Sequence, residues 1–264
     1  MKNVIKQLKW EVIEENISSN NIIIPNKKAL FRDDNHKLLG IHSNKYHIFK
    51  NKDLKKLCGE IEKVSSYVIN QFVELNGGKK VLAFLKHKDI QHVNDIAVKE
   101  YLVIGNSFDG TSSLFVGYNS HMIRCENQFT DSKRIVQSKH LKGGVTKEID
   151  IQYILNIFNS QKKQTLDAFS KMQKTSISER EIYQLVRLII GKREFDGPNK
   201  KEEKVMESID EEITYFGKNA WGLFNGITHY TSNIINRGRH TFGNVSGESQ
   251  RINKIAMNFL ISLN

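Results

Sequence analysis

The stretch KEYLVIGNSFDGTSSLFVGYNSHMIRCENQF, residues 99–129, decides the fold. Apolar residues alternate on either side of Asp109-Gly110, a dipeptide suited to a reverse turn, so the segment reads as antiparallel strands. Such a hairpin holds polar side chains at fixed places at its tip and at its strand end.

Working outward, the N-terminal half repeats the pattern. Tyr67–Leu75 alternates, Asn76-Gly77-Gly78 reverses the chain, and Val81–Leu85 returns. Ala29–Arg32 and Leu38–His42 form a second hairpin around Asp33-Asp34-Asn35. Short strands are expected at Trp10–Ile13 and Asn21–Pro25, a helix start within Lys2–Leu8, and a linker at Ile90–Ala97. Asn51 suits the N-cap of a helix to about Val64, whose apolar face is Leu54, Leu57, Cys58 and Ile61.

After residue 129 the period lengthens to that of a helix. Ile151, Ile154, Leu155, Phe158, Leu166 and Phe169 share one face. Ser178 and Glu181 make a capping box for a helix to about Ile190. A charged, exposed helix is expected over Lys200–Tyr215, an apolar one over Asn219–Ile235, and a last one over Glu248–Leu263. The class is α+β, an antiparallel sheet in residues 1–129 packed with helices in 130–264, as a single domain over 1–264.

Forty Lys and Arg face twenty-nine Asp and Glu, giving a net charge of +11 in 264 residues. A basic excess of this size points to polyanions, nucleic acid before membrane; a solubilising surface is the plainer alternative. No apolar run reaches transmembrane length, and the N-terminus lacks the apolar stretch of a signal peptide, so a cytoplasmic location in a bacterial host is expected. Cys58 and Cys125, far apart, make neither a metal signature nor a disulfide framework; both read as small buried hydrophobes. No cofactor or metal is expected, and the phosphate-loop, dinucleotide, zinc-protease and serine-hydrolase motifs are missing from the sequence.

Four places are candidates for chemistry, and a fifth, less specific patch joins Lys27, Lys28, Arg32, Lys37, Lys45, Lys50, Lys52, Lys55 and Lys56 with Asp33, Asp34 and Asp53 mixed in. Asp109-Gly110 at the hairpin tip is either a turn or, with Ser107, Thr111 and Ser112, a phosphate-holding loop. Arg124, in Arg124-Cys125-Glu126-Asn127, either grips phosphate or pairs with Asp109. Lys133, Arg134, Lys139, His140 and Lys142, beside Gly143-Gly144, form either a backbone track or a solvated loop. Near the C-terminus, Arg237, Arg239, Arg251 and Lys254 face a single acid, Glu248, after a helix carrying Trp221 and Phe224. The arginines suit phosphate and the helix aromatics suit packing.

Three strings carry a family resemblance: LFRDDNHKLLGIHSNKYHIFKN (30–51), YLVIGNSFDGTSSLFVGYNSHMIRCENQF (101–129) and NAWGLFNGITHYTSN (219–233). In order and spacing, over roughly residues 10–260, the chain resembles the phage/plasmid-like domain of unknown function numbered nine-three-two. The matching positions are Arg32, Asp33, Leu39, Gly40, Tyr46, Asp109, Gly110, Arg124, Cys125, Asn127, Trp221, Asn225, Thr228 and Tyr230. The chain departs where Phe108 replaces a His, Glu126 a Gln, Gly226 an Ala and His229 a Glu. The resemblance implies a setting among replication and recombination genes and gives no reaction.

The expectation is a DNA-binding, oligomeric protein of a phage or mobile element, acting in single-strand annealing or as a recombination or replication accessory. It would need a basic groove and many weak contacts, without catalytic residues. One alternative is an enzyme on nucleic acid with Asp109, Arg124 and Asn127 in a pocket. Another is a virion cargo protein that neutralises packaged DNA.

Overall fold

A computed structural model describes residues 3–5, 8–93, 96–112, 114–122, 128–134, 150–191, 199–236 and 247–263. Antiparallel sheets fill the N-terminal half and helices the C-terminal half, an α+β fold. The chain divides into two compact units, each assembled from three separate segments.

The first unit comprises residues 1–89, 101–118 and 132–159. The strands β2 (Val12–Ser19), β3 (Ile22–Arg32) and β4 (Leu38–Ser43) make a three-stranded antiparallel sheet. Strand β3 runs unbroken through Pro25 and Asn26, where two shorter strands were expected. Its start carries Ile22, Ile23 and Ile24, all exposed, and Asn26 takes a φ of 60°. Although β3 is the middle strand, Pro25 and Asn26 fall where its register with β2 shifts, an irregularity that accommodates a proline and a left-handed residue.

The larger sheet begins with β1 (Asn3–Ile5), a strand where a helix start was expected. Val4 and Ile5 pair with Val73 and Phe72 of β5 (Tyr67–Leu75), and β-branched residues favour that pairing over a helix. Strand β6 (Lys80–His87) returns after Asn76, Gly77 and Gly78, all three in the left-handed region, as that turn requires. Helix α1 (Asn51–Val64) packs across β5 and β6 through Leu54, Leu57, Cys58 and Ile61. Burial makes Cys58 a core hydrophobe and pushes its thiol pKa up to about 12.

Asn51 is the first helical residue of α1, not its cap. Its buried amide donates to Trp10 O at 3.0 Å. The carboxylate of Glu11 takes over the capping task, accepting from Asn51 N at 2.9 Å and Lys52 N at 2.8 Å. A distant side chain thus satisfies the orphan donors and opposes the helix dipole.

Residues 90–97 hold paired strands rather than a linker: β7 (Gln91–Val93) pairs with β8 (Ile96–Ser107). Three residues are too few to show alternation in sequence; their partner defines the strand. Strands β9 (Phe115–Met122) and β10 (Gln128–Arg134) complete the path β1-β5-β6-β8-β9-β10.

The second unit comprises residues 90–100, 119–131 and 160–264. It holds the later part of α2 (Ile151–Lys174), then α3 (Glu179–Ile190), α4 (Lys200–Phe216), α5 (Ala220–His229), a π-helical turn at Tyr230–Ile235, and α6 (Glu248–Ile261). Their core joins Phe169, Met172, Leu185, Ile209, Trp221, Phe224 and Leu260. Helix α4 is not simply exposed: Glu202, Val205, Ser208, Ile209 and Glu212 are buried, because α5 packs along it.

Candidate functional site

The Asp109-Gly110 turn is built from neighbouring chain, all within the first unit. Asp109 Oδ1 accepts from Thr111 N at 3.0 Å and from Thr111 Oγ1 at 2.6 Å. Ser107 Oγ donates to Ser112 O at 2.8 Å and accepts from Ser112 N at 3.0 Å. Gly110 has a φ of 72°, the left-handed conformation expected of it. The N–H groups of Thr111 and Ser112 are turned into the loop itself, so the turn reading stands and these donors do not face a phosphate.

The β3–β4 hairpin buttresses this turn. A His42 ring nitrogen lies 2.7 Å from Phe108 O, and His42 stacks on Tyr46 with ring centroids 3.9 Å apart. Tyr46 donates to Ser107 O at 3.2 Å; burial first, and the negative Asp109 second, raise its pKa. A Cβ on Gly40 would sit 2.5 Å from Phe108 O, so only glycine permits that approach. Phe108, where the resembled family has His, is fully buried and meets the edge of Trp10 at 5.9 Å.

Behind the turn lies a charged cluster that sequence reading did not assemble. Arg32 Nη1 donates to Glu74 Oε2 at 2.9 Å, while Nε and Nη2 grip both oxygens of Asp34 at 2.8 and 2.7 Å. The guanidinium lies 4.2 Å over the Trp10 ring, and Trp10 Nε1 donates to Glu74. The hydrogen bond to Arg32 holds the Asp34 pKa down. Every polar edge of Arg32 is occupied, so its role is structural. The only advance signal was the Arg32-Asp33-Asp34 string; Trp10 and Glu74 arrive through strand pairing.

In the second unit, Trp221 and Asn225 are core. Trp221 packs on Phe169 with centroids 4.8 Å apart and on Phe224 at 6.3 Å. Asn225 Nδ2 donates to Trp221 O at 2.8 Å. The π-turn presents Thr231 Oγ1 to Asn253 Oδ1 at 2.9 Å, and Asn236 Nδ2 donates to Ser249 Oγ at 2.8 Å, a buried polar seam that tethers α6. His229, where the resembled family has Glu, meets Glu212 Oε1 through Nδ1 at 2.8 Å and Glu211 Oε2 through Nε2 at 3.7 Å, both from α4. The hydrogen bond to Glu212 raises its pKa against burial.

The expected cations divide. Arg251 and Lys254 project from the exposed face of α6, opposite Ile252, Ala256 and Met257. Lys133 and Arg134 end β10. Arg124, Asn127, Lys139, Lys142, Arg237 and Arg239, with Cys125 and His140, lie outside the described residues, so a pocket of Asp109, Arg124 and Asn127 has no described geometry. Among the described residues no group of His, Cys, Asp or Glu is arranged to hold a metal, and no helix is long and apolar enough to cross a membrane.

A family model described as a domain of unknown function, DUF932, matches residues 38–255. No curated protein and no solved structure matches the chain.

Proposed function

The chain belongs to the DUF932 family, and from that premise we propose that it binds nucleic acid through its phosphates, as a phage or mobile-element protein in single-strand annealing or an accessory step of recombination or replication. The observation that carries the reading is the charge of +11. The disposition of the acids supports it. Glu11, Asp53, Glu62, Asp150 and Glu181 accept from backbone N–H groups at helix starts and strand ends, and Glu74 and Glu100 are buried. Lys52, Lys56, Arg251 and Lys254 are exposed on helix faces, with no ion pair to any described residue.

Such a protein works by accumulation. Each phosphate contact is weak, and a homo-oligomer lets the contacts add along one strand while base edges stay free to pair. The test is fluorescence anisotropy on a labelled oligothymidine, titrated from 50 mM to 500 mM salt. Tight binding at low salt that falls steeply is expected; no anisotropy change at 50 mM salt overturns the proposal. Light scattering with and without the oligonucleotide checks the oligomer.

A further inference from the structure

Glycines inside helices cost stability relative to alanine, and a fold retains them where something comes close. Two of the helical glycines meet that rule internally. A Cβ on Gly222 would lie 2.3 Å from Gly217 O, and one on Gly226 would lie 2.5 Å from Ile209 Cα. Gly59, in the interior of α1, does not: a Cβ there would meet nothing within 4 Å. No packing within the described chain explains it.

Its position does. The buried face of α1 is Asn51, Leu54, Leu57, Cys58 and Ile61. At about 100° per residue, Lys52, Lys56, Gly59 and Lys63 fall on the opposite side, within roughly 60° of one another, and Lys55 flanks them. Lys52 and Lys56 stand about 6 Å apart along the axis, and Lys56 and Lys63 about 10 Å, with Gly59 between them. Lys63 bridges to Glu60 at 2.9 Å, an exposed pair readily exchanged for another anion; Glu60 also feels the charge of Lys56, and neither Lys52 nor Lys56 makes an ion-pair contact among the described residues. The stripe holds no apolar residue, so it lacks what an interfacial membrane helix needs.

We infer that the outer face of α1 is a docking site for a nucleic-acid strand, with Lys52, Lys56 and Lys63 on successive phosphates and Gly59 letting the strand lie against the helix backbone. The inference rests on the nucleic-acid reading above and adds to it where the strand runs. The missing side chain shortens the distance between the phosphates and the helix, which strengthens each lysine contact in the less polar gap.

The test uses the full chain and the same labelled oligothymidine. The triple variant Lys52→Gln, Lys56→Gln, Lys63→Gln should lose about 100-fold in affinity near 100 mM salt, and the log–log salt slope should fall by about two. An equal charge loss elsewhere, Lys163→Gln, Lys171→Gln, Lys174→Gln on exposed positions of α2, should lose far less. Gly59→Ala should raise the thermal midpoint by a few degrees and lower affinity several-fold, a combination that a merely structural glycine does not give. If the wild type binds and the two triple variants weaken it equally, the site is overturned while the function stands. If Gly59→Ala gains stability at unchanged affinity, the close backbone approach is overturned. If the wild type fails to bind at 50 mM salt, both fall together. Vesicles rich in phosphatidylserine, bound through these lysines with no competition from oligothymidine, would assign the face to membrane and overturn the inference.

Discussion

Arg32 and Glu74 are 10% and 7% exposed at their side chains, so each is held in place by the other. Removing one partner of such a pair leaves the other charged in a dry site. Arg32→Met is expected to cost about 3–5 kcal/mol, read from the urea midpoint, whereas exposed pairs such as Lys218–Glu179 should cost well under about 1 kcal/mol. His229 gives stability a pH dependence of opposite sense to that of a carboxylate. Glu212 raises its folded pKa above an unfolded value near 6.5. Its contribution is therefore complete below about pH 6.5 and is lost as pH rises through the higher folded value. Urea unfolding at pH 6 and pH 9 should show the wild type more stable at the lower pH by a margin that His229→Gln removes. A margin unchanged in the variant would place the proton elsewhere.

The helices differ in what holds their ends and faces. Ser178 caps α3 in a box with Glu181, and Ser178→Ala should lower stability by about 1 kcal/mol. Helix α1 has from its own residues only Asp53, accepting from Lys50 N at 3.2 Å, and relies on Glu11 for Asn51 N and Lys52 N, so Glu11→Gln should weaken α1 by removing charge at the dipole while keeping an acceptor. The glycines give opposite signs for one substitution. Gly226→Ala drives a methyl into the backbone of α4 at Ile209, and the overpacking, about 1–3 kcal/mol, outweighs the propensity gain. Gly59→Ala meets open space and should stabilise by about 0.5–1 kcal/mol. Calorimetry on the two variants separates a helix packed on a helix from a helix face turned to solvent.

Across the whole molecule the surplus of positive charge sets behaviour in salt. A protein of net charge +11 that holds several phosphates loses affinity linearly on a log–log salt plot, at about 0.7 per contact for a single strand. A slope of at least three is expected, and a slope near zero would mean that the charge serves solubility alone. Leu82, Phe84 and Leu102 are buried in the first unit, and Phe169, Trp221 and Phe224 belong to the core of the second.

Local chemistry was enough for the hairpins around Asp33-Asp34-Asn35, Asn76-Gly77-Gly78 and Asp109-Gly110, for the α3 capping box, and for the order of sheet before helices, though β10 runs to Arg134, past the boundary expected at residue 129. Each is a choice made within a few residues, where turn conformation or side-chain period fixes the outcome. The three strings also placed the chain in its family from sequence alone. Only tertiary structure decided that residues 3–5 and 91–93 are strands, since three residues acquire that state from a partner. It also decided that Glu11 rather than Asn51 caps α1, that α4 buries two glutamates, and that Arg32 belongs to Trp10 and Glu74 rather than to a ligand. These outcomes depend on groups from different elements meeting in space, Glu11 with Asn51 and Arg32 with Glu74 among them, and the spacing of residues along a chain carries no measure of that distance.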